Sequence, residues 1–141
     1  VLRWWPPFLL SGIRVLEVAD DWRSARVELR RRWYSANYVG TNFGGSLFAM
    51  ADPFWMSLVM ETLGRDYIVW DKAAEIEFVK AVREPVTVEF QVDPAAIAEL
   101  RAATADGARV LRWFETEIRT AAGETVARVR KQLHVRRKRG K

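Results

Sequence analysis

The chain has 141 residues, half of them hydrophobic and 12% aromatic, enough for one folded domain with a core and too apolar for a disordered polypeptide. It has no cysteine and one histidine, His134, which excludes disulfides, a thiolate nucleophile, a Cys-ligated or multi-His metal site and a conventional Ser-His-Asp triad. The net charge of +5 sits largely in Arg136, Arg137, Lys138, Arg139 and Lys141, so a near-neutral domain is expected over 1–135 and a basic tail over 136–141.

Residues 4–10, aromatic and apolar around Pro6-Pro7, predict a short capping helix or turn. Two extended segments follow, 13–19 and 22–29. In the second, Ala25, Val27 and Leu29 alternate with Arg26, Glu28 and Arg30, the pattern of a sheet with one wet face. Residues 67–79 predict a long strand, interrupted by the adjacent charges Asp71 and Lys72. In a strand these point to opposite faces, so one of them faces inward. Residues 86–92 alternate again. Asp93-Pro94 offers an N-cap and a first-turn proline for a short surface helix over 95–105. Strands are predicted over 110–120 and 125–135. The last alternates imperfectly, Val126, Arg128, Arg130 and Gln132 against Ala127, Val129, Lys131 and Leu133.

The stretch 37–60 is the most informative. A polar turn containing Gly40, Gly44 and Gly45 runs into residues apolar on every side, which predicts one buried helix. Asp52 is the single charge inside that helix. A buried carboxylate has to be paired or hydrogen-bonded, because leaving it bare is very costly. Asp52-Pro53 also reads as the N-cap and first turn of a helix restarted after a proline break. Asn37 and Gly40 also read as ordinary turn residues.

Asn37, Gly40, Phe43, Gly44, Gly45 and Asp52 stand in the register Asn-x-x-Gly-x-x-His-Gly-Gly, with an acidic residue seven positions beyond the second glycine. This resembles the pattern of hotdog-fold thioesterases of the phenylacetate-degradation type. Ile76-Glu77-Phe78-Val79-Lys80 resembles that family's strand after the helix. The departure is Phe43, where the better-known enzymes have His. The resemblance implies an α+β hotdog fold, an antiparallel sheet wrapped around one long central helix, assembled as a homodimer or a dimer of dimers with the site at a subunit interface.

The chemistry implied is hydrolysis of an acyl-CoA thioester, with coenzyme A as part of the substrate and no further cofactor or metal. Asp52 is the candidate base or nucleophile, an amide of Gly44 or Gly45 the oxyanion donor, and Asn37 the orienting group. Phe43, Phe48, Trp55 and Met56 are candidates for an acyl-chain wall, and Asp71 for the substrate side. Lys80 and Arg83, with the basic tail, are candidates for the nucleotide phosphates. The other reading is a non-catalytic hotdog protein that binds acyl-CoA or fatty acid, with the missing His as its reason. No nucleic-acid module is visible, and the aromatics are not interleaved with the basic run. No membrane span is expected, and a cytoplasmic location fits the lack of cysteine.

Overall fold

Pro6 and Pro7 start helix α1 (Pro6–Ser11), at positions where a missing N–H leaves no helical bond unmade. In the computed structural model, which describes residues 2–140, it is followed by strands β1 (Ile13–Val18) and β2 (Ser24–Leu29). Helices α2 (Gly44–Ala49) and α3 (Phe54–Leu63) come next, then β3 (Tyr67–Phe78) and β4 (Val86–Gln91). Helix α4 (Pro94–Ala103), β5 (Arg109–Thr120) and β6 (Thr125–Arg137) complete the chain. The strands form one six-stranded antiparallel sheet in the order β1-β2-β4-β5-β6-β3. The period-2 pattern sets its two faces: Val27, Val86, Val88, Phe90, Ile118, Val129 and Leu133 are all buried on the inner face.

Helix α3 lies across that inner face. Phe54 stacks on Phe90 with centroids 5.0 Å apart, and Trp55 meets the same ring edge-on at 4.9 Å. Such aromatic pairs are worth about 0.5–1.5 kcal/mol each beyond their buried area. Helix α4 secures the far end. Asp93 caps it by accepting from the Ala95 amide at 2.8 Å, and Arg101 donates to the carbonyls of Thr62 and Leu63 in the last turn of α3. The predicted surface helix is thus also a clamp, with Ile97 and Leu100 in the core.

The single helix predicted from Ser46 onward within 37–60 is two. The bonds tighten before the proline: Ala51 donates to Phe48 and Asp52 to Ala49, each across three residues. Pro53 cannot donate and its ring crowds the carbonyl four residues back, so the chain turns and α3 restarts. Asp52 does not cap the restart, since the cap position is Pro53 and no side chain bonds there. Nor is the helix buried all round. Met56 is half-buried and Met60 is 38% exposed, on a flank that nothing among the described residues covers. No helix among the described residues is long and apolar enough to cross a membrane.

The tail begins later than the sequence suggests. Arg136 pairs with Ile68 and Arg109 and Arg137 pairs with Tyr67, because β6 flanks two neighbours whose ends reach that far. Lys138 adds bonds from its amide to the Asp66 carbonyl, at 2.7 Å, and from Nζ to that of Arg65. Truncation after Lys138 should therefore leave the melting temperature unchanged, whereas truncation after Val135 should lower it by several degrees in a thermal melt.

Candidate active site

The turn that Pro53 forces puts Asp52 at the surface, where the sequence predicts a buried carboxylate: its side chain is 65% exposed. What is buried is its partner. Lys131, 2% exposed, rises from the inner face of β6 among Val129 and Leu133, opposite Phe114 of β5. Its Nζ donates to Asp52 Oδ1 at 3.1 Å and to the Asp52 carbonyl, and pairs with Asp71 Oδ2 at 3.0 Å.

Asp71 is the inward member of the Asp71-Lys72 pair: it continues the inward set of Tyr67 and Val69, Trp70 faces outward, and Asp71 faces Lys131. A β-bulge follows it directly, where the register with β6 slips between Asp71 and Ala73. Burial pushes the Asp71 carboxyl above its ordinary value of 3.8. The hydrogen bond and charge of Lys131 oppose that rise, and the charge of Asp52 adds to it. The Oδ1 atom of Asp71 is buried without a partner among the described residues.

The glycine-rich turn is a separate feature within one chain. Asn37 spends its side chain on its own loop: Nδ2 donates to Thr41 Oγ1 at 2.7 Å, and Oδ1 accepts from the amides of Thr41 and Val39. It organises the loop and is not free to orient a water. Gly40 follows with a φ of +82°, which the turn requires. Gly44 and Gly45 are close-approach positions: a Cβ would lie 2.9 Å from the Phe78 ring at the first and 2.6 Å from the Phe43 ring at the second. Asn37, Phe43 and Gly45 line a cleft of about 610 Å³ with Leu10, Tyr34 and Tyr38. Asp52 is not among its walls. It lies past the far end of α2, and six helical residues span about 9 Å.

Other candidates from the sequence are dispersed. Trp55 is 1% exposed between Phe90 and Phe114, so it is core and no ligand wall; Phe48 and Met56 are half-buried. Lys80 is exposed and paired with Glu124 at 2.7 Å, while Arg83 lies beside Gly40. Lys80 and the basic tail cannot grip one phosphate group within a chain. They sit beyond opposite ends of β3, whose twelve residues span roughly 36 Å. A larger concavity, of about 990 Å³, lies on the outer face of the sheet. There Arg128 and Arg130 are flanked by Glu75, Glu77, Glu115 and Glu117 in cross-strand ion pairs, so the charges answer one another. The residue that sequence reasoning missed is Lys131. Its signal was the broken alternation in 125–135, a cation at an inward position.

An antiparallel sheet wrapped on a broken central helix, with an acidic residue after a Gly-Gly turn, defines a class, and solved structures match it over almost the whole chain. One is a Pseudomonas aeruginosa protein of unknown function described as a probable thioesterase. It superposes with a TM-score of 0.81 at 18% identity, covering 92% of this chain and 85% of that one. A thioesterase from Haemophilus influenzae gives 0.70 at 15% identity, covering 95% and 85%. The PaaI protein of the E. coli phenylacetic acid degradation operon gives 0.65 at 19% identity, also covering 95% and 85%. The fold shared with them is the hotdog fold. Residues 1–135 match the family described as a domain of unknown function, DUF4442, and the chain belongs to it. No curated protein matches the sequence.

His134 lies on the outer face, away from Lys131 and its carboxylates. It stacks on Trp70 with centroids 3.8 Å apart and planes 4° from parallel, and its Nδ1 is buried without a partner. Burial lowers its pKa below the ordinary 6.5, and the positive charges of Arg109, Arg136 and Lys72 lower it further. The folded state keeps the ring neutral where the unfolded chain would protonate it, so stability is lost as pH falls below about 6.5. The melting temperature should drop with acid through that window, and less steeply in His134→Phe.

Proposed function

We propose that the chain is an acyl-CoA thioesterase in which Asp52 is the general base. The observation that carries this reading is an asymmetry: a carboxylate 65% exposed is gripped from below by an ammonium 2% exposed. A surface ion pair formed by chance has both members in water. Here Oδ1 is held, and Oδ2 has no partner among the described residues.

In this reading Asp52 takes a proton from water as the water oxygen bonds to the thioester carbonyl carbon. The oxyanion collapses, the carbon–sulfur bond breaks, and the departing thiolate takes the proton from Asp52. The amides of Gly44 and Gly45 find no backbone acceptor among the described residues and are the candidate oxyanion donors. They do not converge with Asp52 in one chain, so the thioester lies between Asp52 of one copy and the glycine turn of another. The sheet supports such pairing. β3 is an edge strand of twelve residues with one side unpaired, and Phe78 and Val79 at its end are exposed. Light scattering at micromolar concentration should give a dimer or a dimer of dimers; a monomer would remove the assembled site.

One observation favours the second reading, a non-catalytic protein that binds acyl-CoA or fatty acid. Phe43 occupies the place of the His in the phenylacetate-degradation-type pattern that the turn resembles, its ring lies against Gly45, and Asn37 is committed to its loop. A panel of acyl-CoA thioesters separates the two readings, since binding without turnover selects the second. In the first, Asp52→Asn should fold and bind, and should lose turnover by roughly a hundred- to ten-thousand-fold, the usual worth of a positioned general base.

A further inference from the structure

We propose that Lys131 and Asp71 are positioning residues that clamp Asp52 through one shared ammonium; the inference rests on the reading of Asp52 as the reacting carboxylate. Three observations carry it. First, Lys131 holds the same residue twice, by the Asp52 side chain and by its carbonyl, which fixes backbone and carboxylate together at the break between α2 and α3. Second, the same ammonium is paired with Asp71 at 3.0 Å and its side chain is 2% exposed, so it is committed to two carboxylates and acts through Asp52. Third, a β-bulge follows Asp71 directly, and bulges gather next to sites where one side chain has to be placed.

The charges make Asp71 more than a bystander. An ammonium paired with Asp52 alone would spend its whole field on the carboxylate that has to accept a proton, and Asp71 divides that field. Few other charges compete. The first turn of α3 holds no acid, and α2 holds no charged residue. Arg112, on the inner face of β5, is paired with Glu99, and Lys72 lies with His134 on the other side of the sheet.

A structural ion pair predicts a different outcome from a positioning one. Lys131→Met removes the clamp but leaves Asp71 bare and buried, so stability and turnover both fall. Adding Asp71→Asn removes that stranded carboxylate. The unfolding midpoint should recover, while kcat stays about a hundred-fold below wild type with KM little changed, the size of effect a misplaced reacting group produces. Recovery of kcat together with stability would overturn the proposal.

A second measurement needs no turnover. Asp71 can be followed by carboxyl carbon NMR in the intact protein. Asp52→Asn removes a like charge and leaves the ammonium to Asp71, so the Asp71 midpoint should move down. An unmoved midpoint would overturn the shared clamp, and it decides the matter alone if the Lys131 variants do not fold. If the wild type hydrolyses no thioester, the thioesterase reading fails by itself, and the titration still judges the clamp.

Discussion

A lysine ammonium held out of water governs how helix and sheet meet. Moving such a charge from water costs several kcal/mol even after relaxation, and the cost is recovered only where acceptors are placed around it. Lys131 finds them on two other elements, the break between α2 and α3 and strand β3. Strand β3 supplies one acceptor, Asp71, and the turn that Pro53 forces supplies two. A straight helix through 50–53 would keep the Asp52 carbonyl inside its own ladder.

The rest of the core is ordinary hydrophobic packing, and that ordinariness made the fold legible. Alternation in 22–29 and 86–92 fixed which residues face inward, and Asp93-Pro94 marked the start of α4. Pro53 was legible as a possible break, and the structure takes it. The tail boundary at 135 was drawn from composition. A strand's end is set by the reach of its neighbours, here Ile68, Tyr67 and Arg109, which composition does not record.

The site was less legible because its parts come from opposite halves of the chain. Asp52 and Lys131 are 79 residues apart, and no local pattern joins them. The resemblance pointed to the turn and to Asp52. It did not reveal that Asn37 is saturated by its own loop, that Trp55 lies in the aromatic core, or that the buried member of the ion pair is the cation. Both oddities noted in the strands, Lys131 on an apolar face and Asp71 beside Lys72, belong to one cluster. A break in periodicity was the better guide to the site than the motif's own polar residues.

The strand order also has a consequence for how the molecule is made. β3 leaves the ribosome directly after α3, yet its only partner is β6, the last strand of the sheet. Until residues 125–137 emerge, β3 has two open edges and Asp71 has no cation. Non-local pairing of this kind slows folding, and unpaired edges invite contact with other nascent chains. Docking of β6 closes one edge and delivers the ammonium in the same event. The helix break is therefore assembled first, and the charge that it receives arrives last.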